Sequence, residues 1–163
     1  YAYLNSLAMQ VPNGTGANPA ITQVDYTQGG IYYYLPAALK NVIVQKRVLL
    51  PTRYSATGAL STDNSWAWAN VGNLWLPSEI EIAGAPIWGD KGYGAGGFVQ
   101  YPIFACNMNR VKGLGNGGSR TAWWTLSTYS GNSTHFVRVA NSGSVIGDSA
   151  SYAFGAPVCF RIS

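Results

Sequence analysis

Few side chains in this 163-residue chain could carry chemistry, and they fall into three groups. Glu79 and Glu81 stand two apart in Leu-Pro-Ser-Glu-Ile-Glu, a spacing at which two carboxylates can divide into a general acid and a general base if their surroundings push their pKa values apart. The same residues also read as structure. Ser78 is placed to accept from the free amides of a first helical turn, and Glu81, three positions on, can reciprocate in a capping box, with both carboxylates at the positive end of the helix dipole. The capping reading is preferred. His135 is the single histidine, between Thr134 and Phe136 on a predicted strand with no acidic residue near it in sequence, so a surface or half-buried strand position is expected rather than a zinc ligand or a triad member. Cys106 and Cys159 sit in apolar contexts, Phe-Ala-Cys and Pro-Val-Cys-Phe, which favour inert buried thiols or one structural disulfide. Six Asp+Glu in the whole chain leave little for a calcium cage, and no P-loop, G-x-S-x-G or C-x-x-C is present. No catalytic residue, metal or cofactor is expected.

Composition bounds the scaffold that must position such groups. Charged residues are 10% of the chain, against roughly 25% in an average soluble domain, and aromatic residues reach 13% at a mean hydropathy of +0.03, which excludes disorder and coiled coil. The length suits one domain. No apolar stretch approaches the roughly 20 residues needed to cross a bilayer, and a soluble domain cut from a longer polypeptide is expected, with no membrane insertion. The formal net charge is +4. Residues 1–90 carry four basic and five acidic residues and residues 91–163 six and one, but the later cations (Lys91, Arg110, Lys112, Arg120, Arg138, Arg161) form no run and no helical stripe. That is a weak footprint for phosphate, so nucleic acid is not expected as a partner.

Along the chain, residues 1–29 are punctuated by Gly, Asn and Pro and read as an irregular lead-in with one short strand at Ile21–Tyr26. Tyr32–Lys40 reads as a short helix, Val42–Tyr54 as one or two strands interrupted at Pro51, and residues 55–73 as a long loop. A helix follows Ser78, and a Gly-rich stretch to Gly97 precedes a strand over Phe98–Cys106. After a Gly/Asn loop over Asn107–Arg120, strands are expected at Thr121–Ser127, Thr134–Ala140, Ser144–Ile146 and Pro157–Ile162, with Val158, Phe160 and Ile162 on one face. The sum is an α+β fold with two short helices, short antiparallel strands and a high loop content.

The order of landmarks resembles known families. Leu-Trp-Leu-Pro-Ser-Glu-Ile-Glu-Ile-Ala-Gly (74–84) is similar to a segment of formylglycine-generating-enzyme-like domains. The succession WLPSE, then YPIF (Tyr101–Phe104), a Gly/Asn loop, WW (Trp123, Trp124) and a terminal P-x-x-F-x-I resembles an uncharacterised bacterial and phage domain family. Both look like relatives of the C-type lectin fold, so the resemblance implies a C-type lectin-like domain over residues 30–163. Departures are clear: the arginines usual in the family's WWLRSP and GVRPAF are missing from Trp123–Thr128 and Gly155–Phe160, and the calcium signatures of C-type lectins are absent. The formylglycine-generating enzymes use a reactive cysteine pair with copper, which leaves an oxidase built on Cys106 and Cys159 as the rival reading.

The favoured reading is non-catalytic recognition. Residues 125–152 are rich in Ser, Thr, Asn and Gly and carry Tyr129, His135, Arg138 and Tyr152, a mixture resembling a paratope, in which Tyr offers contact area at low entropic cost and the small polar residues adapt their hydrogen bonds. Small polar residues also simply make tight turns. The variable proteins of diversity-generating retroelements, phage tropism proteins among them, resemble this arrangement. The implied role is a receptor-binding domain of a phage tail fibre or surface adhesin, on the virion or outside the cell, with the rest of a longer fibre as one partner, a bacterial cell-surface glycan or protein as another, and a homotrimer as the assembly. Candidate ligand-binding residues are Thr125, Ser127, Tyr129, Asn132, Thr134, His135, Arg138, Asn141 and Tyr152. The core would come from Trp75, Tyr101, Phe104, Trp123, Phe136 and Phe160. A purely structural tail or cell-wall module is the third option.

Overall fold

A computed structural model of the chain describes residues 2–13, 20–51, 66–70, 72–89, 99–115, 117–132 and 134–163. Short helices and several small antiparallel sheets make it a mixed α+β structure, divided into two compact units: residues 1–75 with 160–163, and residues 76–159.

In the first unit, helix α1 (Ala2–Asn5) leads into the antiparallel hairpin of β1 (Ala8–Asn13) and β2 (Ala20–Asp25), so the segment read as an irregular lead-in carries a helical turn and two paired strands. Asn5 anchors it: its buried side-chain amide donates to the Leu74 carbonyl at 2.8 Å and its oxygen accepts from the Leu74 amide at 2.7 Å. The single helix expected over Tyr32–Lys40 is two turns, α2 (Ile31–Tyr34) and α3 (Ala37–Lys40). Pro36 forces the break, because the residue before a proline is pushed out of the α region, and Leu35 is extended at φ −66°, ψ 145°. β3 (Ile43–Val44) and β4 (Arg47–Pro51) are separated at Gln45–Lys46; residues 52–54, the end of the stretch expected to be interrupted at Pro51, lie outside the described residues. β4 pairs antiparallel with β5 (Trp66–Asn70), which lies within the 55–73 stretch expected to be loop; residues 55–65 and 71 of that stretch lie outside the described residues.

The second unit holds α4 (Glu79–Ala83), started by the Ser78 capping box and stopped at Gly84, whose φ of 86° is left-handed. The strand expected over Phe98–Cys106 is replaced by a 3₁₀ turn, Pro102–Phe104, since Pro at its first position presets a turn and cannot donate to a ladder. α5 (Asn107–Arg110) and the two-residue strands β6 (Lys112–Gly113) and β7 (Arg120–Thr121) follow, giving structure to a segment read as loop. The main sheet is β8 (Trp123–Thr128), β9 (His135–Val139) and β10 (Val145–Ser149) in the antiparallel order β10-β9-β8, with a register irregularity between Trp124 and Thr128.

Strand alternation sorts this sheet into two faces. Inward, Trp123, Val137, Val139 and Val145 pack with Ile82 and Phe104, and Ala83 and Tyr101 close the cluster. The Trp123 indole N–H donates to the Arg110 carbonyl at 2.8 Å, so its one polar atom is satisfied inside the core. Of the other expected core residues, Trp75 is buried in the first unit, and two are not buried. Phe136 is 38% exposed, because it precedes the fully buried Val137 and therefore points the other way. Phe160, in the first unit, is 46% exposed, because the strand expected over Pro157–Ile162 shrinks to β11 (Arg161–Ile162), paired with β3.

Candidate functional site

The carboxylates are occupied by the fold. Glu81 accepts from the Ser78 amide at 2.8 Å and from the Tyr101 hydroxyl at 2.7 Å, while its own amide donates to the Ser78 hydroxyl. Glu79 is buried and accepts from the amides of Trp88 at 3.0 Å and Gly89 at 2.7 Å, tying the chain after α4 back to its first turn. Burial raises its pKa, and the amide hydrogen bonds pull in the other direction. These hydrogen bonds tie both carboxylates to neighbouring backbone and side chains, so the pair holds structure. Cys106 is an exposed free thiol and Cys159 is half-buried, which corrects the expectation of two inert buried thiols and leaves no bridge between them. Among the described residues no group of three His, Cys, Asp or Glu is placed to hold a metal ion, and no helix is long and apolar enough to cross a membrane.

The nine candidate ligand residues separate into four places. Thr125 and Ser127 are buried on the inner side of β8, and their hydroxyls serve the fold: Thr125 donates to the Val137 carbonyl at 2.7 Å and Ser127 accepts from the Glu79 amide at 2.9 Å. The period-two alternation from Trp123 has turned them inward, away from solvent. Tyr129, Asn132, Thr134 and His135 gather at the β8–β9 turn. The Asn132 oxygen accepts from the Thr134 amide and hydroxyl, the Thr134 hydroxyl lies 3.1 Å from His135 Nδ1, and the Tyr129 ring stands 6.1 Å from Trp88 and 5.9 Å from His135. Tyr129 is half-buried against Gly131 and Gly147, where any Cβ would collide with its ring. Asn141 is exposed in the β9–β10 turn. Arg138 and Tyr152 come together elsewhere, on the outer face of the sheet.

That outer face is the feature sequence reasoning missed. Trp124 of β8 stands opposite Arg138 of β9, and Phe136 of β9 opposite Asp148 of β10. A chain of rings crosses it: Phe136 to Trp124 at 6.5 Å, Trp124 to Phe154 at 4.9 Å, Phe154 to Tyr152 at 5.8 Å. Over Phe154, at 4.8 Å, lies the Arg138 guanidinium, whose Nε donates to Asp148 Oδ2 at 2.7 Å. The hydrogen bond from Arg138 holds the Asp148 carboxyl below the usual aspartate range. Tyr152 is 57% exposed, and the ion pair itself is only 18% and 23% exposed, so a fixed donor and acceptor lie within a surface of aromatic carbon. The signal was in His-Phe-Val-Arg-Val: with the two valines inside, Phe136 and Arg138 must share the outside. What the geometry can do is hold a ligand by ring contact and directed hydrogen bonds.

Fold and site together define a small mixed α+β domain with one aromatic, polar-centred sheet face. The chain belongs to the family described as a domain of unknown function, DUF6273, whose model matches residues 3–163. No curated protein and no solved structure matches it.

Proposed function

We propose that this chain is a non-catalytic recognition domain of C-type lectin-like fold, carried by a phage tail fibre or surface adhesin as a homotrimer, and that it attaches to a receptor on a bacterial cell through the outer face of β8, β9 and β10. The observation that carries the reading is the conjunction on one face of exposed aromatic rings with a fixed Arg138–Asp148 pair. Large exposed aromatic surface is retained where it meets a partner, and Tyr, Trp and Arg dominate the binding energy of such surfaces. The carboxylates being bound into the capping box and the Trp88–Gly89 turn supports recognition over acid–base chemistry. The binding face moves from the nine residues read from sequence to Trp124, Phe136, Arg138, Asp148, Tyr152 and Phe154, keeping Arg138 and Tyr152 from the first set. Binding of fluorescently labelled domain to a panel of whole bacteria tests it: attachment to some strains, lost in Tyr152→Ala and kept in Asn141→Ala, is expected. Attachment to no strain, or equal attachment by both variants, would remove the reading.

A further inference from the structure

We infer that the occupant of this face is a neutral pyranose of a cell-surface glycan, stacked on the aromatic rings with its hydroxyls on the Arg138–Asp148 pair. The inference rests on the recognition reading and goes beyond it by naming the ligand class. A pyranose ring presents a patch of C–H groups on one side and a rim of hydroxyls that both donate and accept. Its complement is therefore apolar ring area with a donor and an acceptor held close together. Both parts are present. The exposed rings of Phe136 and Tyr152 lie at the two ends of the ring chain, and the polar pair lies beside it. Asp148 also accepts from the Ser149 amide at 2.9 Å through Oδ1, which together with the Arg138 bond fixes the carboxylate before any ligand arrives. The terminal guanidinium N–H groups and the remaining carboxylate lone pairs are the groups a pair of neighbouring hydroxyls would use.

Charge selects the neutral class. The charge of Arg138 on this face is balanced by Asp148 at hydrogen-bond distance, so an anionic sugar or phosphate would have to displace or sit beside a carboxylate already bonded to that guanidinium. A neutral hydroxyl pair bridges both partners without breaking them.

The 163-residue chain is passed over an array of immobilised neutral hexose polymers, with sialylated, uronate-bearing and phosphate-bearing glycans alongside, and over host cells before and after periodate oxidation. Retention on neutral glycans, weakened at least tenfold by Phe136→Ala and by Tyr152→Ala with unchanged melting temperature, is the expected result. Asp148→Asn, which keeps the shape and frees the Arg138 charge, is expected to weaken neutral binding about tenfold and to raise retention on acidic glycans. Preference of the unaltered chain for acidic glycans would overturn the inference, as would neutral binding indifferent to all three substitutions. Cell attachment that needs Tyr152 yet survives periodate would mean a protein receptor, overturning the glycan inference and sparing the recognition reading. Attachment to neither cells nor glycans would end both.

Discussion

Trp123 and Trp124 are adjacent in sequence and live in different worlds. Trp123 is 1% exposed, with its ring 6.2 Å from Phe104 and its N–H on a main-chain carbonyl. Trp124 is half-buried on the other side of the same strand, among rings that reach solvent. One strand thus supplies both the core and the face set out toward solvent, and the pleat alone decides which residue does which. The lesson is about cost. Aromatic carbon on the inner face is stabilised by burial, whereas the same carbon on the outer face contributes less to folding and is held in place by its neighbours.

The largest expected effect lies inside. Trp123→Ala removes the biggest side chain of the core together with a satisfied hydrogen bond, and a loss of about 3–5 kcal/mol is expected in equilibrium denaturation. Trp124→Ala should cost distinctly less. Equal losses would mean that the two faces of the sheet do not differ in the way described.

Next comes the turn that Glu79 holds. Glu79→Ala strands the part-buried amide of Trp88 and the buried amide of Gly89, and leaving a buried donor unmet costs about 1–3 kcal/mol. Its acid–base behaviour contrasts with that of the outer pair. Burial lets Glu79 hold a proton to higher pH in the folded chain than in the unfolded one, so folding takes up a proton above the ordinary glutamate range and stability falls as pH rises through that window. Asp148 does the opposite: its hydrogen bond with Arg138 contributes stability above the ordinary aspartate range, lost as pH falls through the lowered folded value. Acidification from neutrality should therefore first raise the denaturation midpoint and then lower it. Glu79→Gln should remove the rise and Asp148→Asn should soften the fall. A midpoint that only declines from pH 7 downward would contradict the raised Glu79.

A smaller effect belongs to the helix start. Ser78→Ala removes the acceptor for the Glu81 amide, and about 1 kcal/mol is expected from chemical denaturation. This cap was legible in sequence because it is local: donor, acceptor and carboxylate lie within four residues. The strands Thr121–Ser127 and Thr134–Ala140 were legible for the same reason, since β-branched and aromatic residues alternate there with polar ones. What could not be read were features decided by distant partners. The β5 strand exists because β4 pairs with it, and the early hairpin because Ala8–Asn13 finds Ala20–Asp25. Two of the candidate site residues lie inside for a simpler reason. Chemical type drew attention to Thr125 and Ser127, but side-chain direction, set by the neighbouring Trp123, put them inside.

The smallest expected change in stability, and the sharpest contrast with Trp123, is at Tyr152. Its ring is more than half exposed and lies 5.8 Å from that of Phe154. Substitution to Ala removes contacts that water already shares, so the denaturation midpoint should move by no more than about 0.5 kcal/mol, as for an ordinary surface position. The same substitution removes a rigid amphipathic ring from one end of the outer face, and rings of this kind carry a disproportionate share of binding energy. Stability and binding are thereby uncoupled at Tyr152 and coupled at Trp123, where a loss of attachment would follow from a loss of fold. A thermal melt paired with a cell-attachment assay on the two variants separates these cases. If Tyr152→Ala lowered the melting temperature as far as Trp123→Ala does, the outer face would be a second core awaiting cover by more of the chain or by another copy, and its rings would be there for stability.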